Sequence, residues 1–270
     1  MTAHRLLAAG CLALTALASG ASPSLAQVLA RVSPPPTTPA PTAVLERIQF
    51  APSPRYQQEN HGSRASEFDY YALAMSWSPT HCATTDRPDE QQCNRRDGRR
   101  FAFVLHGLWP QHERGYPEFC PTRDRPFVPQ RTIEAMMDVM PSRGLIIHQY
   151  RKHGVCSGLE PDRYFDLSRN LFTKVKIPQR FVSPEQQQMV DTSTIVQEFV
   201  AANPGLRPDM LAVVCGGSGN RLREIRVCFT KEGTFRTCGT NENQRRLCAA
   251  PRVFVPPVRE SASPSGRRFN

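Results

Sequence analysis

The feature that most constrains this chain is its set of cysteines. It has nine. Cys11 stands alone in an apolar run near the N-terminus. The other eight are Cys82, Cys93, Cys120, Cys156, Cys215, Cys228, Cys238 and Cys248. An even number of cysteines in an exported chain implies a disulfide framework, whose connectivity a sequence alone leaves open. The start of the chain supplies the export context. His4 and Arg5 give a short positive segment, Leu6 to Ala18 is apolar with small residues, and Ser24-Leu25-Ala26 offers a cleavage site before Gln27. Gly10-Cys11 has a lipoprotein-like look, but Cys11 opens the apolar run instead of closing it. No two cysteines have C-x2-C spacing, which argues against a zinc site. No apolar run reaches the roughly 18 residues of a membrane span. The expectation is a secreted or periplasmic protein, disulfide-stapled, with no membrane span.

Hydrophobic residues make up 39% of the chain and charged residues 21%, enough to build a packed core. The 25 prolines are concentrated. Pro34, Pro35, Pro36, Pro39, Pro41, Pro52 and Pro54 fall in one stretch with few large apolar groups. The C-terminal end is polar and carries Arg259, Arg267 and Arg268. The expected organisation is a signal peptide at 1–26, a Pro-rich disordered linker at 27–66, one domain at 67–255 and a disordered basic tail at 256–270.

Within that domain, 68–77 and 211–215 read as strands, and 101–105 as a short strand ending at His106-Gly107. In 223–229, Ile225, Val227 and Phe229 share one face and charge occupies the other. Helices are expected at 132–140, 142–153 with Gly154 as terminator, 162–174 and 192–202, with a further one opened by Ser183-Pro184. Strands at both ends with helices between them predict an α+β fold, a mostly antiparallel central sheet flanked by helices.

Two segments carry candidate chemistry. In Phe103-Val-Leu-His106-Gly-Leu-Trp109-Pro110, a histidine stands beside an aromatic ring that offers a stacking face. In His148-Gln-Tyr-Arg-Lys152-His153-Gly-Val-Cys156, a helix turning about 100° per residue puts His148, Gln149, Lys152 and His153 on one face. Tyr150 and Arg151 then point elsewhere. Imidazoles titrate near neutrality, so one accepts a proton while another donates. A lysine stabilises negative charge growing in a transition state. A helix ending near Gly154 would favour protonated His153. This set suits phosphodiester transfer, and RNA carries its own nucleophile in the 2′-hydroxyl.

Phe68 to Cys82 (FDYYALAMSWSPTHC), Phe103 to Pro110 (FVLHGLWP) and His148 to Cys156 (HQYRKHGVC) together resemble the ribonuclease T2 family of secreted endoribonucleases. The resemblance extends to about Cys248. It implies metal-independent cleavage of single-stranded RNA to a 2′,3′-cyclic phosphate and then a 3′-phosphate, with no cofactor. It assigns His106 as general acid, His153 as general base, His148 to the phosphate, Lys152 to the pentacoordinate phosphorane and Trp109 to base stacking. Gln111 lies where family members contact a base. The resemblance also implies the disulfides Cys82–Cys93, Cys120–Cys156, Cys215–Cys248 and Cys228–Cys238. The chain departs from the pattern at two positions. Gln149 replaces a glutamate, which implies lower histidine pKa values, slower cleavage and an upward-shifted pH optimum. Tyr150 replaces a tryptophan and keeps an aromatic at the site.

His81 and His112 read as surface residues. Arg95, Arg96, Arg99 and Arg100 form a basic cluster suited to tracking an RNA backbone, as does a formal net charge of +10. The expected partner is RNA and the expected state a monomer. Gln149 leaves an alternative, a non-catalytic relative that binds RNA or another partner. A metallohydrolase is disfavoured because His148 and His153 are five apart, which does not match an i, i+4 zinc pair.

Overall fold

The computed structural model describes residues 65–85, 91–93, 98 and 100–258. The leader, the linker up to residue 64, Arg95, Arg96, Arg99 and the last part of the tail lie outside the described residues.

Six strands form one sheet: β1 (Tyr70–Trp77), β2 (Phe103–Gln111), β3 (Gln188–Asp191), β4 (Leu211–Gly216), β5 (Arg221–Phe229) and β6 (Arg252–Val255). The order is β2-β1-β5-β6-β3, with β4 also paired to β5. Every pairing is antiparallel except a single parallel one, Arg221 with Phe254. The α+β architecture is therefore the expected one, with a mostly antiparallel sheet.

Alternation divides the sheet into two faces. Tyr71, Leu73, Met75 and Trp77 of β1 join Ile225, Val227 and Phe229 of β5 in the core. The opposite face carries Tyr70, Ala72, Ala74 and Ser76 of β1. Directly beside Ala72, Ala74 and Ser76 stand Cys228, Arg226 and Glu224 of β5. Burial of β1 on both faces accounts for its nearly unbroken apolar sequence.

The helices are α1 (Ser78–Thr84), α2 (Gln130–Met136), α3 (Arg143–Gln149), α4 (Pro161–Lys174), α5 (Thr192–Ala202) and α6 (Gln244–Leu247). Pro161 starts α4 at a position where a missing N–H costs nothing, with Asp162 in the first turn and Lys174 in the last. Its Tyr164 hydroxyl donates to Leu108 O at 2.6 Å, which anchors the helix on β2. Phe199 of α5 stacks on Phe181 at 5.8 Å and meets Phe103 at 6.1 Å.

Several elements differ from the sequence expectations. Ser183-Pro184 opens no helix; the segment leads into β3, where Val190 is buried and pairs with Val253 of β6. Cross-strand pairing outweighs the cap signal there. The helix at Ser142 does not stop at Gly154. Ser142 caps α3 by accepting from Leu145 N, and a π turn at Tyr150–Gly154 carries the helix on to Ser157. Gly158, with φ of 75°, is the residue that ends it. The packed body also reaches beyond both expected ends. Ser66 N–H donates to Cys156 O, and Trp77 Nε1–H donates to Pro256 O.

Four disulfides join Cys82 to Cys93, Cys120 to Cys156, Cys215 to Cys248 and Cys228 to Cys238. These are the pairs that the resemblance implies. Cys120–Cys156 ties the end of the α3 segment to the loop after β2, and Phe119 N–H donates to Lys152 O beside it.

Candidate active site

The site is built by a break in strand register. β1 and β2 pair regularly up to Ala74 with Gly107, and then Met75 pairs with Leu105. His106 is the extra residue of a β-bulge. In an uninterrupted strand, residues three apart face opposite sides, so His106 and Trp109 would be separated by the sheet. The bulge keeps Leu105 and Leu108 in the core and turns His106 to the side of Trp109. His106 therefore lies within β2, not at a strand end, and β2 runs on to Gln111.

The second group comes from the α3 segment. On a regular wheel His153 falls within about 20° of the buried Ile146. The π turn, in which Val155 N–H reaches back to Tyr150 O, advances less per residue and brings His153 round toward Gln149. A cavity of about 450 Å³ is lined by His106, Trp109, Gln111, His148, Gln149, Lys152 and His153. All seven candidates thus come together. Tyr150 does not join them. It is buried in the core against Tyr164 at 5.8 Å, with its hydroxyl on Leu159 O. An aromatic at position 150 supports the helix and not the cavity.

Within the cavity the histidines differ. His106 Nδ1 lies 2.5 Å from Glu224 Oε1. Burial pushes the Glu224 carboxyl up, but His106 and Arg226 outweigh it and hold the pKa down at about 2. An ionised carboxylate only accepts, so Nδ1 carries the proton and Nε2 is left for chemistry. His153 is buried, and its Nδ1 has no hydrogen-bond partner among the described residues. Burial, reinforced by Lys152, His106, His148 and Arg226, drives its pKa down to about 3. The helix end does not favour protonated His153, because the helix continues past it and desolvation dominates. His148 is exposed, and its pKa is also lowered, by desolvation first and then by Lys152 and His106.

Lys152 Nζ pairs with Glu118 Oε2 at 3.0 Å. Gln149 is buried and accepts from Trp109 Nε1–H at 2.8 Å, so its carbonyl holds a ring. The Arg226 guanidinium lies over the Trp109 ring at 4.8 Å. Gly107 is required by this packing: a Cβ there would overlap Gln149 Oε1 and Trp109 Nε1. Gln111 Oε1 accepts from Asn241 Nδ2–H at 2.9 Å. The turn carrying Asn241 is fixed by Glu242, which accepts from the Tyr70 hydroxyl.

Sequence reasoning missed Glu224, Arg226, Glu118 and Asn241. The alternation of β5 did place Glu224 and Arg226 on its charged face, which was the available signal. Nothing local marks Glu118 or Asn241. His112 is half-exposed, with Nδ1 3.8 Å from Asp69. Among the described residues no cluster of three or more His, Cys, Asp or Glu is arranged to hold a metal ion. No described helix is long and apolar enough to cross a membrane.

A disulfide-stapled α+β sheet whose cavity gathers three imidazoles, a lysine and side-chain amides is what this fold and site define. The family model of the ribonuclease T2 family matches residues 68–238, and the chain belongs to that family. A ribonuclease of Aeromonas hydrophila is 38% identical over 205 residues, covering 72% of this chain and 88% of the relative. Ribonuclease I of Escherichia coli is 24% identical over 200 residues, covering 60% and 75%. Among solved structures, trichomaglin, described as an S-like ribonuclease, superposes with a TM-score of 0.58 at 23% identity, covering 72% of this chain and 100% of that one. RNase NT in complex with 5′-AMP gives 0.54 at 20% identity, covering 71% and 99%. These two share the fold. The protein is an RNA endonuclease.

Proposed function

We propose that this chain is an exported, metal-independent endoribonuclease in which His153 is the base and His106 the acid. His153 removes the 2′-hydroxyl proton and O2′ attacks phosphorus. The P–O5′ bond breaks, and His106 donates its proton to the leaving O5′, giving a 2′,3′-cyclic phosphate. Water then opens the ring with the roles exchanged, leaving a 3′-phosphate. Lys152 and His148 face the phosphate, and Lys152 offsets the charge that grows on it. Trp109 offers a stacking face to a base, and Gln111 with Asn241 offers it amides.

The observation that carries the assignment is the contrast between the two imidazoles. One is desolvated and surrounded by cations, so it stays neutral and ready to accept a proton. The other is held at Nδ1 by a carboxylate, which fixes the ring and leaves Nε2 to face the leaving oxygen. Gln149 acts here through Trp109 and relays no proton. The export reading rests on the leader sequence and on the disulfides, which belong to oxidising compartments. Product analysis tests the proposal. A short RNA incubated in excess EDTA yields 2′,3′-cyclic phosphate ends first and 3′-phosphate ends later. Uncut RNA bound tightly at pH 4–8 would favour the binding-only alternative.

A further inference from the structure

A second groove, of about 270 Å³, lies on the far side of the His106–Glu224 pair from the catalytic cavity. It runs between α1 and β5, and His106 and Arg226 line both spaces. Arg223 stands in it, exposed, with no carboxylate among the described residues paired to it. Thr80 lines it from α1. This residue is only 2% exposed, and its Oγ1 has no hydrogen-bond partner among the described residues. A buried hydroxyl without a partner costs free energy unless a ligand supplies one. Among the described residues Glu224 is the one carboxylate lining the groove, and its oxygens are already engaged by His106 and Arg226. The groove therefore offers a guanidinium and a hydroxyl to an anion.

We propose that this groove is a subsite for the phosphate following the scissile one on its 3′ side, an inference that rests on the ribonuclease reading above. The leaving O5′ belongs to the nucleotide 3′ of the cut, and His106 protonates it. That nucleotide leaves the cavity past His106. Of the two further spaces that His106 borders among the described residues, the one shared with Arg223 and Thr80 holds the arginines, and the 3′-phosphate of that nucleotide enters it. Arg223 binds a phosphate oxygen and Thr80 donates its hydroxyl.

The test compares a dinucleoside monophosphate with the same compound carrying an added 3′-phosphate or an added 5′-phosphate. In the wild-type chain the 3′-phosphate raises kcat/KM about fivefold, the yield of one well-placed surface ion pair. Arg223→Gln removes that gain and flattens the salt dependence by about 0.7 in logarithmic slope. Thr80→Val reduces the gain. Lys176→Gln removes the same charge outside the groove and keeps it. The 5′-phosphate gives no effect sensitive to Arg223. A 3′-phosphate gain that survives in Arg223→Gln, or no gain in the wild type, overturns the subsite while leaving the ribonuclease reading intact. Failure of the wild type to cleave even the unphosphorylated compound overturns both.

Discussion

Glu224 Oε1 approaches His106 Nδ1 at 2.5 Å across the intervening strand β1. The contact is possible because β1 presents only Ala74 and Ser76 at that level. Glu224 fixes the tautomer and angle of the ring and, on the proposed mechanism, acts through His106 alone. Glu224→Gln should lower kcat about tenfold to a hundredfold with little change in KM, and Glu224→Asp should recover part of the loss. A Glu224→Gln enzyme with wild-type kcat across the whole pH range would remove this role.

On the proposed mechanism His153 sets the acid side of the pH dependence. Its folded pKa is depressed to about 3, so the neutral, proton-accepting form persists far into acid. A lowered base pKa moves the acid limb of kcat/KM down, opposite to the upward shift that the Gln149 departure implies. The acid-side midpoint should lie near 3, read from a pH–rate profile on a short RNA. A midpoint near 6 to 7 would contradict a base depressed by burial at His153.

The same group makes a stability prediction of definite sign. Above the ordinary histidine pKa, both folded and unfolded states hold a neutral His153. As pH falls from about 6.5 toward 3, the unfolded chain binds a proton that the folded chain refuses. Stability is lost over that window at up to about 1.4 kcal/mol per pH unit. Urea midpoints at pH 7 and pH 4.5 should differ less in His153→Gln than in the wild type. An equal drop in both would assign the acid sensitivity to other groups.

Gly107 tests the packing of the cavity wall. Gly107→Ala places a methyl group into the Gln149–Trp109 hydrogen bond. Overpacking of this kind costs about 1–3 kcal/mol, so the domain should stay folded with a lower Tm. Displacement of Trp109 should raise KM for RNA more than it lowers kcat. Unchanged kinetics and Tm would show that the wall yields freely.

Much of this was legible in the sequence because its causes are local. The apolar alternation of β5, the proline start of α4 and the span 192–202 of α5 follow from pattern and capping. The seven cavity residues were identifiable because two short segments carry them. What escaped were features set by partners distant in the chain. A β-bulge is a relation between Ala74–Met75 and Leu105–Gly107, so no reading of β2 alone places His106 inside a strand. The π turn is likewise unmarked locally. A wheel of fixed pitch puts His153 on the face of Gln149 and turns Tyr150 away, as found, but does not show that the helix runs on past Gly154 to Ser157 with His153 buried. Glu224 is 118 residues from His106. Only the sheet order shows that the two meet.

In the proposed reaction His106 and His153 together cleave RNA by internal transesterification. The most direct measurement is product analysis on a short synthetic RNA in excess EDTA, with wild type, His106→Phe and His153→Phe compared side by side. The wild type should give 2′,3′-cyclic phosphate, and each variant should lose that product by at least about a hundredfold. No cyclic product from the wild type between pH 4 and 8, with its four disulfides verified, or formation of it at the wild-type rate by either variant, would rule out this pair as the acid and base.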